Sequence, residues 1–100
     1  MKLKMSKPLL DEVVLKLIDA KLKLNGHVTS KDIYFHLGLG RQKVSKVFQV
    51  YLTANPNSMT YVPSKKKYIA CSNFKPVFLE SGAGEYVDAL IIVFGTFEVN

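Results

Sequence analysis

The side chains best suited to binding a ligand fall into two short cationic clusters. One comprises Arg41, Gln42, Lys43, Ser45, Lys46 and Gln49, and the other is the triplet Lys65, Lys66 and Lys67. Lysine and arginine attract anions, and arginine, glutamine and serine also form directional hydrogen bonds. These residue types suit the recognition of an anionic partner rather than covalent chemistry.

The remaining reactive side chains form no recognisable catalytic or metal-binding set. His27 and His36 are nine residues apart with no cysteine or acidic cluster beside them, so we predict no metal site. Cys71 has no orienting partner in the sequence and is interpreted as a core thiol. No paired carboxylates, catalytic triad or phosphate-cradling glycine loop stands out, so we predict neither an enzyme nor a bound cofactor.

Charge is distributed unequally along the 100-residue chain. Residues 1–75 contain all 14 basic side chains and four of the eight acids, a net charge of +10. Residues 76–100 contain the other four acids and no base, a net charge of −4. A net positive charge could serve only to keep the protein soluble. The clustering of the charges instead favours a basic part that contacts a polyanion and an acidic part that does not lie on it.

Length and composition indicate one small globular domain. The chain has 48% hydrophobic and 22% charged residues, and its single cysteine excludes an intrachain disulfide. The longest apolar run, Ala89 to Phe94, has six residues, whereas a membrane span needs roughly 20. No secretory signal is visible. We therefore expect a cytoplasmic protein with no membrane partner.

Hydrophobic spacing predicts three helices in the first half of the chain, at about residues 8–24, 30–37 and 41–54. Asn25-Gly26 ends the first helix, because glycine readily adopts the left-handed conformation. Thr29 or Ser30 can cap the second helix. The glycines of Gly38-Leu39-Gly40 separate the second helix from the third.

Two segments rich in β-branched and aromatic residues, 59–62 and 67–71, flank Pro63-Ser64-Lys65-Lys66 and predict a β-hairpin with a basic tip. Tyr61 and Tyr68 are interpreted as hairpin residues, with base stacking as the alternative. The segment 74–78 is expected to pack back on the core. Residues 85–100 fit either a helix or strands, and periodicity does not decide between them.

Three helices followed by a basic hairpin are the element order of a winged helix-turn-helix, an α+β fold. A helix about 12 Å wide fits the major groove of B-DNA. We expect the outer face of the third helix to read the groove and the other cations to hold phosphates. The predicted groove contacts are Gln42, Ser45, Lys46 and Gln49, and the predicted phosphate contacts are Lys31, Arg41 and Lys43. The wing lysines 65–67 are predicted to lie along the adjacent backbone or to reach into the minor groove.

Residues 36–45 (HLGLGRQKVS), Tyr51-Leu52, Asn57, Tyr61, the SKKKY of 64–68 and the FKPVF of 74–78 resemble one family in their order and types. The family is the N-terminal winged-helix domain of WYL-domain transcriptional regulators, in particular the repressors that control bacterial phage-defence operons. The resemblance covers about residues 9–80. It implies sequence-specific binding of double-stranded DNA, usually as a dimer on an inverted repeat.

The sequence departs from that family at two points. Gly40 stands where the family has an N-cap serine, an exchange that costs only a few tenths of a kcal/mol. The sequence ends at Asn100, before a WYL sensing domain or a C-terminal dimerisation domain. We therefore infer no small-molecule ligand, and expect either a stand-alone DNA-binding protein or a fragment of a larger regulator.

We divide the chain into a DNA-binding domain, residues 1–80, and a C-terminal tail, residues 81–100. One winged helix covers one half-site, so a homodimer would match a palindrome. The tail offers apolar side chains for such pairing, by helix packing or strand addition: Tyr86, Leu90, Ile92, Phe94 and Phe97. The alternative is that the tail covers the first helix.

The leading functional hypothesis is a dimeric transcriptional regulator, more specifically a repressor, since so short a chain can do little beyond occupying an operator. The alternative is a protein-interaction module whose basic face is incidental, and a third hypothesis is binding of structured RNA. DNA binding weakens steeply with salt and an apolar protein contact does not, so salt dependence separates the first two.

Overall fold

The secondary structure follows the order expected of a winged helix. A computed structural model describes residues 7–37, 40–80 and 82–94, and within them the chain forms four helices and one three-stranded sheet. The helices are α1 (Lys7–Asn25), α2 (Ser30–Leu37), α3 (Arg41–Ala54) and α4 (Ala83–Phe94). The strands are β1 (His27–Val28), β2 (Met59–Val62) and β3 (Lys67–Ala70). This α+β winged-helix fold confirms the sequence prediction.

Local chemistry explains where the helices begin and end. Gly26 ends α1 with a φ of 77°, a left-handed conformation that favours glycine. Thr29 and Asp32 form a capping box at α2, since the Asp32 amide donates to Thr29 Oγ1 (3.0 Å) and the Thr29 amide to Asp32 Oδ2 (2.9 Å). Gly40 precedes α3 without a side-chain cap bond, as expected from its lack of a side chain.

The sheet attaches the hairpin to the helices. Its strand order is β1-β3-β2 and both pairings are antiparallel. His27 lies opposite Ile69 on one side of β3, and Tyr61 lies opposite Tyr68 on the other. Because β1 lies between α1 and α2 in the chain, its pairing with β3 fixes the hairpin against the helix-turn-helix.

The core forms where α1, α2, α3, β1 and α4 meet. The third helix contributes the predicted apolar stripe, of which Val44, Val47, Phe48 and Tyr51 are buried and Leu52 partly buried. Facing it are Val14, Leu17, Ile18 and Leu22 of α1, together with Val28, Ile33, Met59 and Leu90. Burial of the stripe leaves the opposite side of α3 facing solvent.

The final element is a helix rather than a strand. Leu90 of α4 is buried in the core cluster, and the Tyr86 hydroxyl donates a 2.9 Å hydrogen bond to the Val13 carbonyl of α1. Residues 83–94 therefore resolve the ambiguity in favour of a helix packed on α1, while residues 95–100, which include Phe97, lie outside the described part. Phe74 and Phe78 pack against the same core, as predicted.

In the described part of the chain, no helix has both the length and the apolar character that crossing a membrane requires.

Candidate nucleic-acid interface

The outer face of α3 presents hydrogen-bonding and cationic side chains to solvent. Residues along a helix are rotated by about 100° from one to the next, so burial of Val44 and Tyr51 turns the predicted groove-reading positions outward. All four of these side chains are exposed: Gln42, Ser45, Lys46 and Gln49. The structure thus brings this predicted set together on one surface of the helix.

The wing is a four-residue loop between β2 and β3. The Lys65 amide donates to the Val62 carbonyl (3.1 Å) and the Lys66 amide to the Pro63 carbonyl (3.2 Å). Lys66 has a φ of 54°, an uncommon conformation for a residue other than glycine. Lys65 and Lys66 are exposed at the tip, whereas Lys67 opens β3 and is partly buried. The loop therefore carries two cations on its most exposed part.

An aromatic stack holds the wing against α3. The rings of Phe48 and Tyr68 lie 4.4 Å apart and nearly parallel, at 10°. Tyr61, on the neighbouring strand, contacts Tyr68 with a centroid distance of 4.8 Å and is 46% exposed. Because Tyr68 directly follows the wing lysines in β3, its packing on α3 fixes the position of the wing relative to the outer face of that helix.

The other predicted phosphate contacts differ in their surroundings. Lys31 is exposed in the first turn of α2, where the positive end of the helix dipole favours anions. Arg41 begins α3, and its side chain lies outside the described part. Lys43 lies not on the outer face but on the flank of α3 towards α1, with its Nζ 2.5 Å from Asp11 Oδ1.

A groove of about 380 Å³ runs between α1 and this flank of α3. Asp11 and Leu15 line it from α1, and Lys43, Lys46 and Val50 line it from α3. Its buried apolar side chains are Leu15 and Val47, and Val50 is 53% exposed, so the groove places apolar surface next to the cations of α3.

Sequence reasoning missed Asp19, which organises the interior behind the outer face of α3. The Asp19 carboxylate is fully buried, and its Oδ2 accepts the amide hydrogens of Val77 (2.9 Å), Phe78 (2.6 Å) and Leu79 (3.0 Å). Its Oδ1 accepts the Tyr51 hydroxyl of α3. One side chain of α1 thereby anchors both α3 and the segment after the hairpin.

The hydrogen-bond network continues from Tyr51 to the end of α3. Asn55 Nδ2 donates to the Tyr51 hydroxyl oxygen (3.2 Å) and to the Lys75 carbonyl (3.0 Å). Burial, followed by the hydrogen bond to Asp19, raises the pKa of Tyr51, which therefore stays protonated and donating. A signal for this role existed in the sequence, because Asp19 falls on the apolar stripe of α1, four residues after Leu15.

The residues predicted for dimerisation separate into two groups. Leu90 is 8% exposed within the core, and Tyr86 bonds to Val13, so both are committed to packing within the chain. The helical period explains this, because four residues separate them and both point to α1. Ile92 points outward and is 81% exposed. The side chain of Phe94 and all of Phe97 lie outside the described part.

Among the described residues, no group of three or more His, Cys, Asp or Glu side chains could hold a metal ion. Cys71 is partly exposed just after β3, with its Sγ 3.7 Å from Thr60 Oγ1.

Comparison with known families supplies an independent assignment. The family model of the BrxR transcriptional regulator winged helix-turn-helix domain matches residues 12–91. Among curated proteins, no sequence matches this chain. The family match runs from α1 through the wing and into α4, and it confirms the resemblance to the N-terminal winged-helix domain of transcriptional regulators. The chain therefore belongs to the BrxR transcriptional regulator winged helix-turn-helix family and is a DNA-binding regulator domain.

Proposed function

We propose that the protein binds double-stranded DNA sequence-specifically and represses transcription by occupying an operator. The observation that carries this proposal is the exposed face of α3, whose polar and cationic side chains lie on the same helix that the wing packs against. A helix of this width fits the major groove, and a wing fixed beside it reaches the adjacent backbone or minor groove.

The outer face of α3 supplies sequence discrimination. Glutamine amides form paired hydrogen bonds with adenine, lysine donates to guanine, and serine bonds to either. In this proposal Gln42, Ser45, Lys46 and Gln49 contact base edges or the walls of the groove. Their exposure supports the assignment, since an incoming base pair displaces only water from them.

The remaining cations supply affinity without sequence preference. In this proposal Lys31, Arg41 and the wing lysines 65–67 contact phosphates, which position the protein on the duplex. Lys43 is left out of this group because Asp11 already neutralises it. All the proposed contacts fall within residues 1–80, the part assigned to DNA binding.

Repression follows from what operator occupancy can do. A protein bound across a promoter excludes polymerase without needing a further activity, whereas activation needs a second contact surface. The bacterial operon repressors that the chain resembles act in the cytoplasm, and we propose the same location for this protein.

We also propose that two copies pair through the outward side of α4. A single winged helix reads one half-site, and a two-fold dimer reads a palindrome with a doubled footprint. Ile92 (81% exposed) and Ile91 (38% exposed) form an apolar surface there. Ile92→Glu should turn a dimer into a monomer in sedimentation equilibrium without loss of fold. A wild-type protein that stays monomeric at tens of micromolar, with and without DNA, would contradict pairing.

The function is tested by titrating the protein against duplex DNA from upstream of its own gene and against a scrambled duplex, at two salt concentrations. Tight, salt-sensitive binding that prefers the upstream duplex is expected. Equal binding to both duplexes would indicate an architectural role instead. Binding to neither duplex would favour the interaction module, and preference for a structured RNA competitor would favour RNA binding.

A further inference from the structure

Asp11 connects α1 to the flank of α3 through a single ion pair. Its Oδ1 lies 2.5 Å from Lys43 Nζ, and the side chains of Asp11 and Lys43 are 39% and 27% exposed. With Lys43 in this position, Asp11 Oδ1 is shielded from solvent, and the Lys43 ammonium lies within hydrogen-bonding distance of it. The Lys43 ammonium is therefore the group that compensates the charge of this oxygen.

The position of Lys43 on α3 explains why α1 can hold it. Lys43 is one residue after Gln42 and one turn before the buried Val47, so it lies at the border between the exposed and buried faces. The same border lines the groove that α1 forms with α3. Lys46, three residues later, also lines this groove but is exposed, and it forms no ion pair within the described part of the chain.

We propose that Asp11 is a positioning residue that withholds Lys43 from DNA and so limits sequence-independent binding. This inference rests on the proposed DNA-binding function. Phosphate contacts provide nearly all non-specific affinity, and each additional free cation strengthens it on every sequence. A regulator must find its operator among a large excess of other sites, so a cation neutralised within the protein lowers the competition from those sites.

A DNA phosphate competes poorly with Asp11 for the Lys43 ammonium. A phosphate that approaches Lys43 also approaches the Asp11 carboxylate, because Lys43 Nζ lies 2.5 Å from Asp11 Oδ1. The attraction of the phosphate to Lys43 is therefore offset by its repulsion from Asp11. Lys43 therefore remains with Asp11 when DNA binds.

The test uses four variants of the full chain: Asp11→Asn, Lys43→Gln, the double variant, and Glu12→Gln as a matched control. Glu12 is the next residue of α1 and pairs with Lys16 of the same helix at 3.3 Å, so its neutralisation adds the same net charge without freeing a lysine of α3. Binding to the scrambled duplex is measured by fluorescence anisotropy from about 50 to about 200 mM salt, the range over which phosphate contacts are titrated.

Asp11→Asn should steepen the slope of log K against log salt by about 0.9 and tighten binding roughly eightfold near 0.1 M salt, because Lys43 becomes one more phosphate contact. Lys43→Gln should keep the wild-type slope, and the double variant should match Lys43→Gln. Glu12→Gln should also keep the wild-type slope. A purely structural role for Asp11 would change stability but not this slope.

Two outcomes would overturn the inference: equal slopes for Asp11→Asn and Glu12→Gln, or a slope lowered by about 0.9 in Lys43→Gln, which would mean that Lys43 already binds phosphate. If Asp11→Asn unfolds, amine acetylation followed by mass spectrometry still tests the inference, because it needs only the wild-type protein. DNA should leave the reactivity of Lys43 unchanged in the wild-type protein, and protection by DNA would again overturn the inference.

The same measurements distinguish a failure of the proposed function from a failure of the inference about Asp11. Wild-type protein that binds the upstream and scrambled duplexes equally would contradict sequence-specific regulation. The salt slopes of the variants would still test whether Asp11 withholds Lys43 from phosphate. Wild-type protein that binds no duplex at all would overturn both.

Discussion

Polar groups serve opposite purposes in two regions that share α3. Behind the helix, the buried Asp19 carboxylate accepts four hydrogen bonds from Tyr51 and from the amides of residues 77–79. In front of it, polar side chains such as Lys46 and Gln49 are exposed. The first region has its hydrogen bonds satisfied by the chain itself and holds the fold, and the second leaves its donors available to a partner.

This contrast separates stability from recognition on a single helix. Tyr51 points inward to Asp19, and Gln49, two residues earlier, points outward. Changes on the inner side should lower the free energy of unfolding, and changes on the outer side should alter DNA binding with the fold intact. The predictions below test that division.

The largest effect is expected from Asp19→Ala. The substitution leaves three backbone amides and the Tyr51 hydroxyl without an acceptor in the interior. Loss of such a shared buried acceptor should lower the free energy of unfolding by about 3–5 kcal/mol, measured by urea denaturation. Asp88→Ala, an exposed acid of α4, is the control and should change it by less than about 0.5 kcal/mol. Equal losses of stability in Asp19→Ala and Asp88→Ala would contradict the assignment of the inner side of α3 to stability.

The sequence predicted the parts of the fold that local signals specify. The period of the apolar residues and the turn residues located α3 and the hairpin closely, because caps, glycines and alternation act within a few residues. The flanks of α3 were harder. Lys43 and Gln42 are neighbours in the sequence, and only the placement of α1 makes one of them an ion-pair partner and leaves the other free.

Long-range packing decided what the sequence left open. Ile91 and Ile92 have strand propensity, but packing of Leu90 and Tyr86 on α1 selects a helix for α4. The role of Asp19 depends on amides 58 to 60 residues further along the chain. No local pattern encodes such contacts. An acid on the apolar stripe of a helix nevertheless indicates a buried carboxylate that needs hydrogen-bond donors.

The next largest effect is expected at the wing. Changing Lys65, Lys66 and Lys67 together to Gln removes up to three phosphate contacts, so affinity should fall on the order of a hundredfold for specific and scrambled duplexes alike, with a shallower salt slope. Lys75→Gln is the control, because Lys75 lies beside Asn55 at the far end of α3. A loss confined to the specific duplex would reassign the wing to base recognition.

A smaller change in free energy, but a selective one, is expected on the outer face of α3. Lys46→Ala and Gln49→Ala should each reduce the preference for the specific duplex by about 1–3 kcal/mol and leave stability nearly unchanged. Thr53→Ala, an exposed position one turn later, should leave the preference unchanged. Competition titrations with both duplexes measure the ratio. Equal losses on specific and scrambled DNA would remove α3 as the reading helix.

The smallest effect concerns the contact between α4 and α1. Burial, with a contribution from the charge of Glu12, raises the pKa of Tyr86 to about 12, above its ordinary value of 10.0. The folded state then keeps the Tyr86 proton to higher pH than the unfolded chain does. The stability this provides is complete below about pH 10 and is lost as pH rises towards 12.

Tyr86→Phe should therefore lower the free energy of unfolding by about 1 kcal/mol at neutral pH, through loss of the hydrogen bond to Val13, and should flatten the decline above pH 10. Tyr51, whose pKa is also raised, keeps part of that decline in the variant. Tyr61→Phe, at an exposed phenol, serves as the control and should flatten the curve less, since the charge of Tyr61 is only the second cause, after burial, that raises the pKa of Tyr68. Parallel wild-type and Tyr86→Phe curves from urea denaturation between pH 8 and 12 would contradict the placement of this hydroxyl against α1.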